Sequence, residues 1–259
     1  MRFSVLGSGS KGNATLVTSG RTALLIDNGF SGRETRRRLA GIGFDPADLT
    51  AILVTHEHGD HVRGVAILSR QTGVAVHANQ ATFRAAGAAL ERPAAYCEFE
   101  TGSPFTIQDM RIHPFAVSHD TAEPVGFVVT DGRATLGYCT DTGMVSRLME
   151  QRLGGCHGLI LECNHDPELL ASSHYPLYLK QRVRSRQGHL SNQEAAVFLA
   201  GLMHPELRHV ALVHLSEVNN RPEIARRTVE QALAGLPEQP EEFRLSVACQ
   251  DTPGGWVSL

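Results

Sequence analysis

Residues 51–61 read Ala-Ile-Leu-Val-Thr-His-Glu-His-Gly-Asp-His, and no other stretch restricts this chain as strongly. Ala51 to Val54 is a short apolar run, the signature of a buried strand. His56, His58, Asp60 and His61 then crowd into a six-residue loop. Val62, Val65, Ala66 and Leu68 follow at helical spacing, which predicts an amphipathic helix over 62–72. Neutral imidazole and carboxylate are ligands of zinc and other first-row divalent ions. His56 and His58, two apart, can point to one side of an extended turn. Asp60 and His61 can serve a second ion beside the first. The helical zinc-protease pattern is absent, because His56 and His61 are five apart with Gly59 between them.

Other candidate ligands also stand at predicted strand ends. Met110 to Phe115 precedes His119, and a hairpin about Asp131-Gly132 ends in Thr140-Asp141-Thr142-Gly143. Gly158 to Leu161 runs into Glu162-Cys163-Asn164-His165-Asp166, and Val210 to Val213 ends in His214. Thr22 to Ile26 ends in Asp27, a carboxylate that either orients a ligand imidazole or caps a turn.

Near the start, Phe3 to Leu6 leads into Gly7-Ser8-Gly9-Ser10-Lys11-Gly12-Asn13. The glycine spacing imitates a dinucleotide-binding loop, which requires a following helix. Residues 14–18 and 22–26 are instead β-rich, so that reading fails. The loop amides can still hold an anion, which makes Ser10, Lys11 and Asn13 candidate substrate contacts. Residues 32–41 read as a helix whose Arg33, Arg36, Arg37 and Arg38 form a solvated basic face.

Residues 167–186 read as two helical pieces broken at Pro176, the second carrying Lys180, Arg182, Arg184 and Arg186. This run leads into Gly188-His189-Leu190-Ser191-Asn192, where Ser191 and Glu194 form a capping box. His189 thus precedes a helix N-terminus, a natural place for a phosphate oxygen. Pro222 opens a last helix, and Phe243 to Val247 is expected to close the chain as a strand.

The net charge of −3 does not advertise a nucleic-acid partner, so one would need a local basic patch such as Lys180 to Arg186. The five cysteines are odd in number and contain no Cys-x-x-Cys, which disfavours a disulfide framework and a thiolate zinc site. Met1 to Leu6 is too short for a signal peptide, and no apolar run approaches a membrane span. A cytoplasmic protein without a membrane partner is expected. Repeated strands with interspersed helices predict α/β architecture: two sheets with helices outside, in one layered domain over 1–259.

The set Thr55-His56-x-His58-x-Asp60-His61, His119, Asp141 and His214 resembles the metallo-β-lactamase fold, an αββα four-layer sandwich. The glycine loop at 7–13, Thr140 to Gly143, Glu162 to Asp166, Gly188 to Asn192 and His214-Leu215-Ser216 resemble motifs of its YycJ/WalJ (VicX) family. The resemblance implies a binuclear metal-dependent phosphodiesterase or nuclease, with 5′-to-3′ DNA exonuclease activity foremost and a metal-bridging hydroxide as nucleophile. It implies one ion on His56, His58 and His119, another on Asp60, His61 and His214, and Asp141 between them. Zinc, manganese and iron all suit such donors. Asp60 would orient the hydroxide. His189 is the candidate proton donor or transition-state stabiliser, with Glu162 pairing with His165 or His189. His165 reads equally as structural or catalytic. Lys180 and Arg184 are expected to contact the nucleic acid, foremost DNA. A small-molecule hydrolase on the same site, such as a cyclic phosphodiesterase, thioesterase or lactonase, is the alternative.

Overall fold

In the computed structural model, which describes residues 1–236 and 242–259, these segments form two seven-stranded sheets. The first half comprises β1 (Arg2–Gly7), β2 (Ala14–Ser19), β3 (Thr22–Ile26), α1 (Gly32–Gly41), β4 (Ala51–Leu53), α2 (Gly59–Val62), α3 (Val65–Thr72), β5 (Ala75–Ala78), α4 (Gln80–Ala86) and β6 (Ala95–Glu98). The second comprises β7 (Phe105–Ile107), β8 (Met110–Ala116), β9 (Val125–Thr130), β10 (Thr135–Cys139), α5 (Arg147–Leu153), β11 (Gly158–Glu162), α6 (Pro167–Ser172), α7 (Leu177–Val183), α8 (Asn192–Leu202), β12 (His209–Val213), α9 (Pro222–Leu233), β13 (Arg244–Val247) and β14 (Val257–Ser258).

The strand orders are β14-β1-β2-β3-β4-β5-β6 and β13-β12-β11-β10-β9-β8-β7. Each half begins with antiparallel pairs and continues with parallel strands: β3 through β6 in one sheet, β10 through β13 in the other. Parallel neighbours need crossover connections, so helices are placed on the sheet faces.

Three apolar layers hold the sandwich together. Phe3, Val17, Leu24 and Leu53 meet Ile112, Phe127, Leu136 and Ile160 between the sheets. Leu25 and Ile52 face outward onto Leu39 of α1 and Leu68 of α3. Leu159, Leu161 and Leu212 face Met149 of α5, Leu199 of α8 and Val229 of α9. Leu24, Leu25 and Ile26 thus alternate between two buried faces, which is why the strand reads as continuously apolar. The result is the expected α/β sandwich.

Four details differ from the sequence reading. The helix expected over 62–72 forms only from Val65 as α3, while the preceding turn α2 begins earlier, at Gly59, and takes Asp60 and His61 out of the expected loop. Between α2 and α3, Gly64 passes so close to Phe30 that a Cβ would lie 1.9 Å from its carbonyl oxygen. Strand β6 has little apolar character to announce it, and its residues are mostly exposed. The described chain does not end its strands at β13, because β14 returns to pair with β1. Arg38 leaves the solvated face: it is buried, stacks on Phe30 and donates from Nη1 to the carbonyls of Leu6 and Gln250. The rejected dinucleotide reading stays rejected, since β1 and β2 form an antiparallel pair.

Candidate metal centre

The residues just beyond β3, β10 and β12 do not continue in extended conformation. Asp27, Asp141 and His214 take φ of 58°, 54° and 57°, in the left-handed region. Non-glycine residues are uncommon there, at a cost of about 1–3 kcal/mol each in sparsely populated regions, and such residues cluster at functional sites. Surrounding bonds hold the turns. Asp27 N donates to Leu53 O at 2.8 Å, His214 N to Ser8 Oγ at 2.9 Å, and Asn164 Nδ2 to His214 O at 2.8 Å.

Four imidazoles are oriented through Nδ1. His61 Nδ1 lies 2.8 Å from Asp27 Oδ2, His119 Nδ1 3.0 Å from Gly188 O, and His214 Nδ1 2.9 Å from Glu162 Oε1. His56 Nδ1 lies 2.9 Å from Thr55 Oγ1, whose hydroxyl donates to Asp27 Oδ2. This leaves Nε2 of each ring to face the others. His58 instead brings Nδ1 inward, 3.2 Å from His119 Nε2.

Two groups result. The ligand atoms of His56, His58 and His119 lie within 4.8 Å of one another, as do those of Asp60, His61 and His214. Asp141 lies between them, with Oδ1 3.7 Å from His119 Nε2 and Oδ2 3.2 Å from His61 Nε2. Asp60 Oδ2 is 3.6 Å from Nε2 of both His61 and His214. His56 Nε2, His214 Nε2 and Asp141 Oδ2 are buried and make no hydrogen bond. Unpaired buried polar atoms are expensive, and these converge on the same small volume. A nitrogen-and-oxygen donor set with its outward nitrogens already hydrogen-bonded fits divalent metal ions.

The electrostatics agree. Burial and the neighbouring His61 keep His56 well below the ordinary imidazole range, so it is neutral, as a ligand must be. Burial also lowers His119. Burial pushes His61 down, but Asp141, Asp27 and Asp60 outweigh it and hold the ring well above its usual range. The same contest, with Asp141, Asp60 and Glu162, brings His214 up to about 10. The carboxylates therefore demand positive charge at this point, a demand that divalent cations meet.

Glu162 is completely buried. One oxygen lies 2.8 Å from His189 Nδ1 and 2.9 Å from His214 Nδ1, and the other accepts from the amides of Thr142 and Leu190. Burial pushes its carboxyl up, but His189 and His214 more than offset this and hold it at about 2. The expected pairing with His189 is present. The alternative pairing with His165 is not: His165 is buried, its Nδ1 makes no hydrogen bond, and burial pushes its ring down to about 4.

The cleft over the centre, about 350 Å³, is lined by Ser10, Asp60, Asp141, Tyr175, Arg182 and His189 among others. Of the expected substrate contacts, only Ser10 faces it. Lys11 pairs with Glu217 at 2.7 Å and borders a neighbouring hollow. Asn13 is buried and serves the centre itself, with Nδ2 3.2 Å from Asp60 Oδ2 and 3.0 Å from His61 Nε2. Lys180 donates to Ala171 O and Arg184 to Pro167 O, bonds within their own segment. Arg182 takes the place expected of them. A spacing of two residues on a helix sends neighbouring cations to different faces, so only one of the three lines the cleft. Tyr175 was not legible as a site residue, because no local pattern marks it; Asn13 and Thr55 stood in recognisable motifs, but their roles in holding Asp60 and Asp27 were not legible.

The superfamily described as "Beta-lactamase superfamily domain" matches residues 22–215, three-quarters of the chain. The chain belongs to the metallo-β-lactamase superfamily. It is 37% identical over 235 residues to exodeoxyribonuclease YycJ of Bacillus anthracis, covering 90% of this chain and 89% of that protein. It is also 37% identical over 241 residues to exodeoxyribonuclease WalJ of Streptococcus pneumoniae, covering 90% and 88%. These relatives put it in the YycJ/WalJ family. Among solved structures, YhfI of Bacillus subtilis, a metallo-β-lactamase fold protein, superposes with a TM-score of 0.75 at 17% identity over 99% of both chains. Zinc-bound PqqB of Methylobacterium extorquens superposes with a TM-score of 0.73 at 16% identity over the whole of both. At such identity these structures establish the fold alone.

Proposed function

We propose that this protein is a metal-dependent DNA exonuclease that shortens strands from the 5′ end. The observation that carries the reading is the pair of buried donor groups joined by Asp141, in a chain 37% identical to exodeoxyribonucleases over nine-tenths of its length. His56, His58 and His119 would hold one divalent ion, and Asp60, His61 and His214 a second, with Asp141 facing both. Zinc, manganese and iron all suit these donors. Bound there, the ions supply positive charge to phosphate oxygens and activation of water near neutral pH.

The chain's own groups do the rest. Asp60, steadied by Asn13, accepts a hydrogen bond from the attacking water and sets its direction. His189 commits Nδ1 to Glu162, so Nε2 is free to protonate the leaving oxygen. Ser10 and Arg182 stand in the cleft where phosphate oxygens of the strand would lie. His165, buried and apart from Glu162, has a structural role. No described helix is long and apolar enough to cross a membrane; a cytoplasmic location is part of the proposed reading.

The test supplies 5′- and 3′-labelled single- and double-stranded DNA, with matched RNA, to protein loaded with manganese or zinc. Stepwise mononucleotide release from DNA 5′ ends supports the proposal. Turnover of a simple phosphodiester or thioester, with every polymer left intact, would transfer the assignment to a small-molecule hydrolase.

A further inference from the structure

Residues 167–186 form a bracket beside the cleft. Helices α6 and α7 are tied to each other: Lys180 Nζ donates to Ala171 O at 2.7 Å and Arg184 Nη2 to Pro167 O at 3.1 Å. Leu170 and Val183 are buried and anchor the two arms. The far end of α7 is seated tightly, for a Cβ on Gly188 would lie 2.2 Å from Arg182 O and 2.3 Å from Val183 O. His189 N donates back to Val183 O at 2.9 Å, and Gly188 O receives His119 Nδ1. The bracket and the metal centre are therefore positioned by the same backbone.

At the bend of this bracket Tyr175 lines the cleft together with Asp60, Asp141 and His189. Its ring is half-buried, touches His174 edge-on, and its hydroxyl makes no hydrogen bond among the described residues. The hydroxyl thus does not explain the ring's place. Leu179 continues the apolar wall, and Arg182, held by Asp120 at 2.6 Å and 3.0 Å, puts a guanidinium on the same side. Next along α7, Leu177 and Tyr178 are 71% and 72% exposed. An aromatic face, an aliphatic neighbour and a fixed cation beside a phosphate-cleaving centre are the components of a single-strand binding platform. Seating a terminal base in the cleft separates it from its partner strand, which costs unpairing and unstacking energy at a blunt end and spares the unpairing at an unpaired one.

We propose that Tyr175 is a base-stacking, specificity-determining residue, and that it selects unpaired DNA 5′ ends over blunt duplex. This inference rests on the nuclease reading above. A substrate without a base, such as a simple phosphodiester, has nothing to place on the ring.

The experiment uses the metal-loaded full chain and a single-stranded oligonucleotide with 2-aminopurine as its 5′-terminal base. Phosphorothioate linkages at that end block cleavage. The wild type should quench the 2-aminopurine on binding. Tyr175→Ala should lose the quench and bind about 5- to 150-fold more weakly, the range stacking on one aromatic spans. Tyr175→Phe, which keeps the ring, should restore both. On cleavable DNA the loss should appear in KM more than in kcat, and the wild-type preference for a 5′ overhang over a blunt end should narrow in Tyr175→Ala. Thermal melts of both variants report folding. A folded Tyr175→Ala with wild-type quench, affinity and end preference overturns the inference and leaves the nuclease reading standing. A wild type that neither binds nor cleaves DNA overturns both.

Discussion

Asp27 and Glu162 are both buried carboxylates at strand ends, one in each sheet, and both orient imidazoles of the centre, but they do so over different distances along the chain. Asp27 serves chiefly one contiguous loop: it accepts from Thr55 N and Thr55 Oγ1 and lies 2.8 Å from His61 Nδ1, and a distant partner, the Tyr138 hydroxyl, stands at 3.5 Å. Through the Thr55 hydroxyl it also steadies His56. Glu162 gathers segments far apart in sequence, namely Thr142, His189, Leu190 and His214. One half of the centre is thus a local structure given its final orientation by a carboxylate. The other half exists only because Glu162 and the strand register bring separate residues together.

Asp141 touches both halves, so its removal should have the largest effect. Asp141→Ala is expected to lower DNA cleavage by more than about 100-fold, beyond the usual range for a residue outside the ligand set. Metal bound per chain, measured by elemental analysis, should fall with it, and an unchanged content would break the account of Asp141 as common to both groups.

The two buried carboxylates should come next and should differ from each other. All four partners of Glu162 are donors, two on each oxygen, so the amide group of Glu162→Gln opposes two donors in either orientation. Asp27→Asn can turn its amide toward Thr55 N and forfeit a single bond. Outer partners of metal ligands typically contribute 10- to 100-fold. Glu162→Gln should therefore lose about 100-fold in kcat/KM and Asp27→Asn about 10-fold, measured on the same labelled DNA. Equal losses, or the reverse order, would show that counting opposed donors misjudges the two carboxylates.

Smaller effects should follow the two halves into their helices. Ser191 caps α8 with a full capping box, whereas Ser31 caps α1 through one 3.3 Å bond. Ser191→Ala should cost about 1 kcal/mol and Ser31→Ala about half that, from urea unfolding midpoints.

A last effect, confined to acid pH, lies away from the centre, at His209, where β12 meets Phe3 of the opposite sheet. Burial, then Arg244, push this imidazole down to about 4, while the unfolded chain titrates near its ordinary value of 6.5. Protonation therefore favours the unfolded chain. Stability from the neutral ring is present above about pH 6.5 and is lost as pH falls toward 4. His209→Gln should flatten the decline in urea midpoint between pH 7 and pH 5, and an unaltered slope would assign the decline to other groups.

The legible part of the centre was the part with a local pattern. His56, His58, Asp60 and His61 announce themselves because a strand, a turn and a helix place them together within one loop. His119, Asp141 and His214 were legible as polar residues just past apolar runs, and Ser191 with Glu194 as a capping box, since capping reaches only three residues. Asn13 lay in a loop whose glycines suggested anion binding, yet it clamps Asp60. Lys180 and Arg184 had the composition of a phosphate-binding run, yet they brace α6 against α7. In both cases the residue type was right for several partners, and packing chose among them.

By itself the sequence determined the alternation of buried strands and amphipathic helices, the contiguous half of the centre and the chemistry of its donors. These depend on residue type and on periodicities of a few residues. Only the tertiary structure decided that Glu162 orients His189 and His214 rather than His165, that Arg182 rather than its neighbours lines the cleft, and that Tyr175 shares that cleft with Asp141. Those choices follow from how strand ends converge across two packed sheets, and a contact between residues dozens of positions apart leaves no spacing in the chain to be read.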